Sequence, residues 1–333
     1  MARKASNAAK VVPISSSGSK AKLTSTIGEL FGLEGKARGV AVNYDDFEHP
    51  YIPAIDTHYS FKENDVRTAM VWAGGEAGIG LLLDGPTGCG KSSLVEQFCN
   101  RLNKPLYRLA CHARMEFSEL VGRTVIKSDG STAFVDGPLL QAMQTGSTFL
   151  LDEINFLPPG MVGALNTVLD RAPLFVPEKD EMIFPHASFR IAATGNGVAS
   201  DNKSQAYRGT NRMNLALLQR FIGIKCDFLP PIDEVQLLHK VAPEIPGQLL
   251  SKMVEIANEI RKSFADDDVT TTMGTRTLKR WAVILNRRAA NLDKDPHPEM
   301  LFTLQMALTN LADHASAFAI EELLQRHVKG ITL

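Results

Sequence analysis

At about 150 residues per domain, a chain of 333 residues holds roughly two domains and has ample length to bury a core. Lys and Arg number 36 against 37 Asp and Glu, a net charge of −1, and the 44% hydrophobic and 22% charged fractions lie near the average for soluble globular chains, which excludes wholesale disorder and a globally basic, nucleic-acid-coating protein. The longest stretch free of Asp, Glu, Lys and Arg, Ile154 to Leu169, carries Asn155, Pro158, Pro159 and Gly160, so no segment reads as a membrane span.

Residues 1–26 are rich in Ser, Ala and Lys and place five basic residues (Arg3, Lys4, Lys10, Lys20, Lys22) ahead of the first acid, Glu29. This composition predicts a flexible basic tail, with a short arm for nucleic acid or a partner as the alternative. Polar Ser6 and Asn7 follow Arg3 and Lys4 where a signal peptide would turn apolar, so a cytosolic chain is expected. Cys89, Cys99, Cys111 and Cys226 form no C-x-x-C pair and read as reduced thiols.

From Ile79 the pattern alternates short apolar strands (Gly80–Asp84, Leu106–Cys111, Thr148–Asp152, Phe189–Thr194, Ile222–Phe228) with helical spacing. It predicts an α/β domain over 27–230 with a mostly parallel sheet between helices. After Pro230 and Pro231 the spacing is helical throughout, which predicts a small all-helical domain over 231–333. Within the α/β part, Thr124–Val135 around Asp129-Gly130 and Leu174–Phe184 read as two hairpins. Leu304, Leu308, Leu311, Ala315 and Phe318 read as the core stripe of one late helix, and Asp266-Asp267-Asp268 as a solvated loop.

The first strand runs into Gly85-Pro86-Thr87-Gly88-Cys89-Gly90-Lys91-Ser92, a match to G-x-x-x-x-G-K-[ST], and a helical pattern opens at Ser93. Glycines in such a loop let backbone N–H groups point at phosphate oxygens, the helix adds its positive end, Lys91 neutralises the outer phosphates and Ser92 offers its hydroxyl to Mg2+. Gly85 to Ser93 are therefore the candidate ATP-binding residues. Phe149-Leu150-Leu151-Asp152-Glu153 is a strand ending in two carboxylates at the same sheet edge. Asp152 is the candidate for the magnesium shell, and Glu153 the candidate base for the attacking water. Asn196, between Gly195 and Gly197 after the next strand, either positions that water or is a turn residue. Cys111-His112 has no second Cys/His pair nearby and reads as strand-end packing rather than a metal site.

Together with an Arg in a downstream helix and the helical domain, these motifs resemble the AAA+ ATPases, and within them the MoxR clade, over about residues 50 to 290. Leu109-Ala110-Cys111-His112, Glu119-Leu120-Val121-Gly122-Arg123 and Asp136-Gly137-Pro138-Leu139 resemble the CbbQ/NorQ activators. Ile52-Pro53-Ala54-Ile55-Asp56 and Phe184-Pro185-His186-Ala187-Ser188-Phe189-Arg190 are closer to the cobaltochelatase ATPase subunit. The resemblance implies that Asn196 is the first sensor, that Arg276 in Gly274-Thr275-Arg276-Thr277-Leu278 is the second, and that Arg220 in Leu217-Leu218-Gln219-Arg220-Phe221 is an arginine finger for a neighbouring subunit. Arg208 and Arg212 compete for the finger role, and the bland alternative is that Arg220 pairs with an acid of its own chain. Relatives often carry Asp where Gln219 stands, which leaves the finger's local partner open. The resemblance further implies a hexameric ring, hairpins that face its pore (against the plain alternative of two decorative hairpins with solvated turns), a von Willebrand factor A-type partner and remodelling of a client, with metal insertion among the outcomes. A nucleic-acid motor on the same core is the competing class, disfavoured by the neutral charge.

Overall fold

The computed structural model describes residues 21–34, 38–75, 80–197, 213, 215–292, 295–329 and 331. Most of the expected tail, Arg208 and Arg212 lie outside the described residues. The tail does not extend to residue 26: β1 (Ala21–Thr26) pairs antiparallel with β2 (Ala41–Asp46), and α1 (Ile27–Phe31) starts directly after it. Thr26 and Glu29 form a reciprocal capping box at the start of α1. Ile27 and Phe31 then enter a core with Val42, Phe61 and Phe98, so the segment is held by residues far beyond the polar stretch that made it look loose.

A helix, α2 (Glu63–Gly74), precedes the central sheet, which consists of β3 (Gly80–Asp84), β4 (Leu106–Ala110), β7 (Thr148–Asp152), β10 (Arg190–Gly195) and β11 (Phe221–Lys225). The order is β11-β3-β10-β7-β4, every pairing parallel. Helix α3 (Lys91–Arg101) connects β3 to β4. Between β4 and β7 come α4 (Phe117–Val121), the hairpin β5 (Gly122–Ile126) with β6 (Thr132–Asp136), and α5 (Pro138–Thr145). After β7, α6 (Val162–Leu169) leads to the second hairpin, β8 (Leu174–Val176) with β9 (Glu181–Ile183). Short α7 (Leu215–Leu218) precedes β11. The near-continuous apolar reading of β3 and β7 follows from burial on both faces: Leu81 and Leu83 join one core with Val95 and Phe98, while Leu82, Phe149 and Leu151 join the other with Leu139 and Met143.

The C-terminal part is helical: α8 (Pro231–Val241), α9 (Gly247–Ala265), α10 (Thr275–Arg287), α11 (His297–Ala307) and α12 (His314–Val328). Its core centres on Trp281, fully buried, whose indole N–H donates to Thr303 Oγ1 at 3.1 Å. Leu249, Met253, Ile256 and Ile260 recur along α9 at three- and four-residue steps and face that core. The expected single stripe from Leu304 to Phe318 is corrected. The chain leaves the α-helix at Leu308, and Asp313 caps a new one by accepting from the Ser316 backbone N–H. This break buries Leu304 and Leu308 but leaves Leu311 and Phe318 exposed.

Candidate active site

The site lies at the carboxyl edge of the parallel sheet, where the loops after β3, β7 and β10 meet. The loop after β3 turns through Gly88 at φ +79°, a left-handed conformation that costs a side-chain-bearing residue energy, and passes so close to Gly274 that a Cβ on Gly88 would lie 3.0 Å from the Gly274 Cα. Since Gly274 caps α10, the contact sets the first turn of that helix, with Thr275 and Arg276, against the loop.

Lys91 opens α3 and is only 7% exposed. Its ammonium donates to the carbonyls of Gly85 (2.7 Å) and Pro86 (2.8 Å) and to Asn196 Oδ1 (2.7 Å). All three acceptors are neutral, so the lysine is a buried cation with no carboxylate partner among the described residues, an arrangement that costs free energy until an anion arrives. Asn196 is itself buried. Its backbone N–H reaches Asn155 Oδ1 at 3.4 Å, and Asn155 Nδ2 has no hydrogen-bond partner among the described residues.

Asp152 ends β7, and because Ala193 is level with Leu151, the next residue, Thr194, sits level with Asp152. The Asp152 Oδ1 accepts from Thr194 Oγ1 and from Ser92 Oγ at 2.8 Å, and Oδ2 accepts from Arg108. Burial pushes this carboxyl up, but the hydrogen bonds from Thr194, Ser92 and Arg108 outweigh it and hold the group below the ordinary carboxylate range. Glu153 is exposed and sits at φ +57°, ψ +51°, held there by its N–H to Thr194 Oγ1 at 2.9 Å. A left-handed non-glycine residue stores about 1 kcal/mol or more, and such strain clusters at functional sites. The turn separates the two consecutive carboxylates: one is locked in a buried network, the other is free of hydrogen bonds to the described residues.

A cavity of about 300 Å³ opens between this edge and the helical part, lined by Gly88 to Gly90 and Ser93 on one side and by Asp233, Leu237 and Arg276 on the other. Arg276 lines this cavity from the first turn of α10. Arg220 lies apart from this cluster: Nε and Nη2 grip the Asp170 carboxylate at 2.7 and 2.9 Å, and Nη1 donates to the Ala216 carbonyl. In this chain, therefore, Arg220 has the in-chain acid of the bland alternative, and that acid is Asp170 rather than residue 219. Cys111 is buried, and His112 lies 3.2 Å from Glu119.

Three participants escape sequence reading. Arg108, inside β4, bridges Asp152 and Glu96 (2.7 Å), and its one sequence signal is a charge within an apolar strand. Thr194 is fully buried and joins both acids, signalled by a hydroxyl ending an apolar strand. Glu234, also fully buried, takes Arg261 at 2.8 and 2.9 Å and Thr275 Oγ1 at 2.8 Å, tying the first turn of α8 to the residue before Arg276.

The family comparisons agree with this architecture. A family model for the AAA domain (dynein-related subfamily) matches residues 80–221, and one for the CbbQ/NirQ/NorQ C-terminal region matches residues 234–327. Aerobic cobaltochelatase subunit CobS of Sinorhizobium sp is 30% identical over 271 residues, covering 78% of this chain and 79% of CobS. Protein NorQ of Paracoccus denitrificans is 30% identical over 242 residues, covering 72% of this chain and 85% of NorQ. Midasin of Dictyostelium discoideum is 31% identical over 242 residues, but the match spans only 4% of midasin. The chain belongs to the AAA+ ATPases, in the MoxR-like group of the CobS, NorQ and CbbQ type. Among the described residues no helix is long and apolar enough to cross a membrane.

Proposed function

We propose that this chain binds ATP with Mg2+ at Gly85–Ser93 and hydrolyses it within a homo-oligomeric ring to remodel a client protein. The observation that carries the reading is the buried Lys91 ammonium among neutral oxygens beside a glycine loop and a helix N-terminus, an anion site with no anion of its own. The Ser92 hydroxyl and the Asp152 carboxylate, 2.8 Å apart and both hard oxygen donors, fit a divalent cation. Magnesium would supply charge neutralisation on the phosphates. Lys91 holds the terminal phosphates, Glu153 accepts the proton of the attacking water, Asn196 positions that water, and Arg276 reaches the phosphates from the helical side of the cavity. Arg220 acts on the ATP of a neighbouring copy. In-line positioning of water and phosphate, rather than covalent chemistry, carries the rate.

The name of CobS places that relative in a metal-inserting enzyme, and on this likeness the client of this chain is a metallochelatase or a metalloenzyme awaiting its metal, reached through a von Willebrand factor A-type partner. Lys91→Ala tests the site: ATP binding by isothermal titration should be lost, and undiminished affinity would refute the assignment. Turnover stimulated severalfold by DNA or RNA in low salt would replace remodelling with a nucleic-acid motor.

A further inference from the structure

Two of the four cysteines lie in the nucleotide cavity. Cys89 is the fifth residue of the phosphate loop, and Cys226 directly follows β11, its N–H donating to the Asp84 carbonyl at 2.7 Å. That bond lays Cys226 against the start of the loop: a Cβ on Gly85 would fall 2.1 Å from the Cys226 carbonyl oxygen and 3.1 Å from its Cβ. The loop then curls back through Gly88 and brings Cys89 round into the wall of the same cavity, where the two thiols interact as neighbours. Both are partly exposed to the cavity.

We propose that Cys89 and Cys226 form a reversible disulfide under peroxide, which closes the nucleotide site.

The two sulfurs are chemically unequal. Accepting the Cys226 hydrogen bond, against the opposing effect of burial and with help from the Lys91 cation, brings the Cys89 thiol down to about 7, whereas Cys226, the donor, is pushed up. The Cys89 thiolate therefore attacks one peroxide oxygen, the O–O bond breaks, and Cys89 becomes a sulfenic acid as hydroxide leaves and takes up a proton to give water. The Cys226 sulfur then attacks the sulfenic sulfur, forming the S–S bond and releasing a second water. Two thiols are oxidised by two electrons and one peroxide is reduced to two waters. Cys99 and Cys111 provide internal controls: both are buried, and burial pushes each up to about 12.

The bond would act on binding through geometry. The two sulfurs must close to about 2.05 Å, which draws the loop toward the strand end. Residues 226–230 run from that strand end into α8, whose Asp233 and Leu237 line the opposite wall of the cavity. A disulfide therefore ties the phosphate loop to the connection that carries the helical part and fixes a loop that must adjust around phosphates.

This inference rests on the nucleotide-site reading. The test uses the full chain, reduced and then treated with hydrogen peroxide, with and without ATP bound beforehand. Peptide mapping without reductant should find a Cys89–Cys226 linked peptide, with ATP protecting against it, and ATP binding and hydrolysis should fall at least about tenfold and return with dithiothreitol. Absence of the linked peptide, a link through Cys99 or Cys111 instead, or a linked protein that binds ATP as the reduced one does would overturn the proposal. Failure of the reduced protein to bind ATP would refute the nucleotide-site reading itself, a result separate from the peptide map.

Discussion

Replacing Glu234 tests how the helical part is held over the phosphate loop. Its carboxylate is fully buried and bonds Arg261 through both oxygens, and Thr275 Oγ1 donates to the oxygen that also takes Arg261 Nη2. Arg261 in turn donates to the Met273 carbonyl and to Asn258 Oδ1, each at 2.8 Å, and its guanidinium carbon lies 3.9 Å from the centre of the Phe228 ring. One ion pair thus binds α8, α9, the entry to α10 and the segment after β11. Removing one member of a buried pair costs about 3–5 kcal/mol, because the other charge stays in low dielectric without its partner. The two remaining acceptors and the aromatic face keep part of the guanidinium solvated, so Glu234→Leu should fall at the lower end, about 3 kcal/mol. At roughly 2 °C per kcal/mol for a chain of this size, the melting midpoint should drop by about 6 °C.

The double variant Glu234→Leu with Arg261→Met separates stability from function. Replacing both charges by apolar groups is often neutral or better, so most of the midpoint should return. Thr275 stays without its acceptor in both variants, so the proposed second sensor at Arg276 stays loosely placed and the KM for ATP should remain raised severalfold even where stability is restored. Scanning fluorimetry and steady-state ATPase assays on the same preparations read the two effects. A single variant melting within about 1 °C of the wild type, or a double variant that regains its KM along with its midpoint, would refute the argument.

Glu153→Gln keeps the strained turn but cannot take a proton, and should retain ATP binding while turnover falls at least about a hundredfold. Asp152→Asn should instead weaken the magnesium dependence of binding, and identical behaviour of the two variants would show the division of roles to be wrong. Lys91→Ala and Arg220→Ala should each be inactive alone yet regain part of the ATPase activity when mixed, since some interfaces then join an intact loop to an intact finger. A mixture that stays inactive at every ratio would place Arg220 in its own chain only.

What could be read from the sequence divides along physical lines. The strand, glycine loop and helix around Gly85–Ser93 were legible because their constraints are local: left-handed backbone at Gly88, a lysine at the first turn of a helix, an apolar strand before it. The strand ending in Asp152 was legible because burial on both faces leaves an unbroken apolar run. Arg108 and Thr194 were not, since what makes them matter is parallel register, which sets Ala110 beside Asp152 and Thr194 level with it across 42 positions of sequence. Glu234 looked like a solvated acid in the first turn of a helix, and its partner Arg261 is 27 residues away. The first strand was missed because Ala21–Thr26 is polar and its stability is supplied by β2 and by the aromatic core around Phe31.

Arg220 shows why two readings that seemed opposed on the sequence are compatible in three dimensions. Its pair with Asp170, 50 residues away, is bidentate but lies at the surface, with side chains 29% and 48% exposed. Such a pair is screened by water and contributes little to folding, so its loss is a small barrier to exchange. Its geometric effect is larger. A guanidinium held by a carboxylate fork is already extended and planar, with its rotamers reduced before any neighbour arrives, and a phosphate offers the same two-oxygen geometry with more charge. If Arg220 is the finger proposed above, Asp170 is a stand-in that preorganises it in the lone subunit, and ring assembly would exchange one anion for another rather than order a free side chain. On this argument Asp170→Asn frees Arg220 without removing it, and should reduce ring ATPase activity far less than Arg220→Ala does.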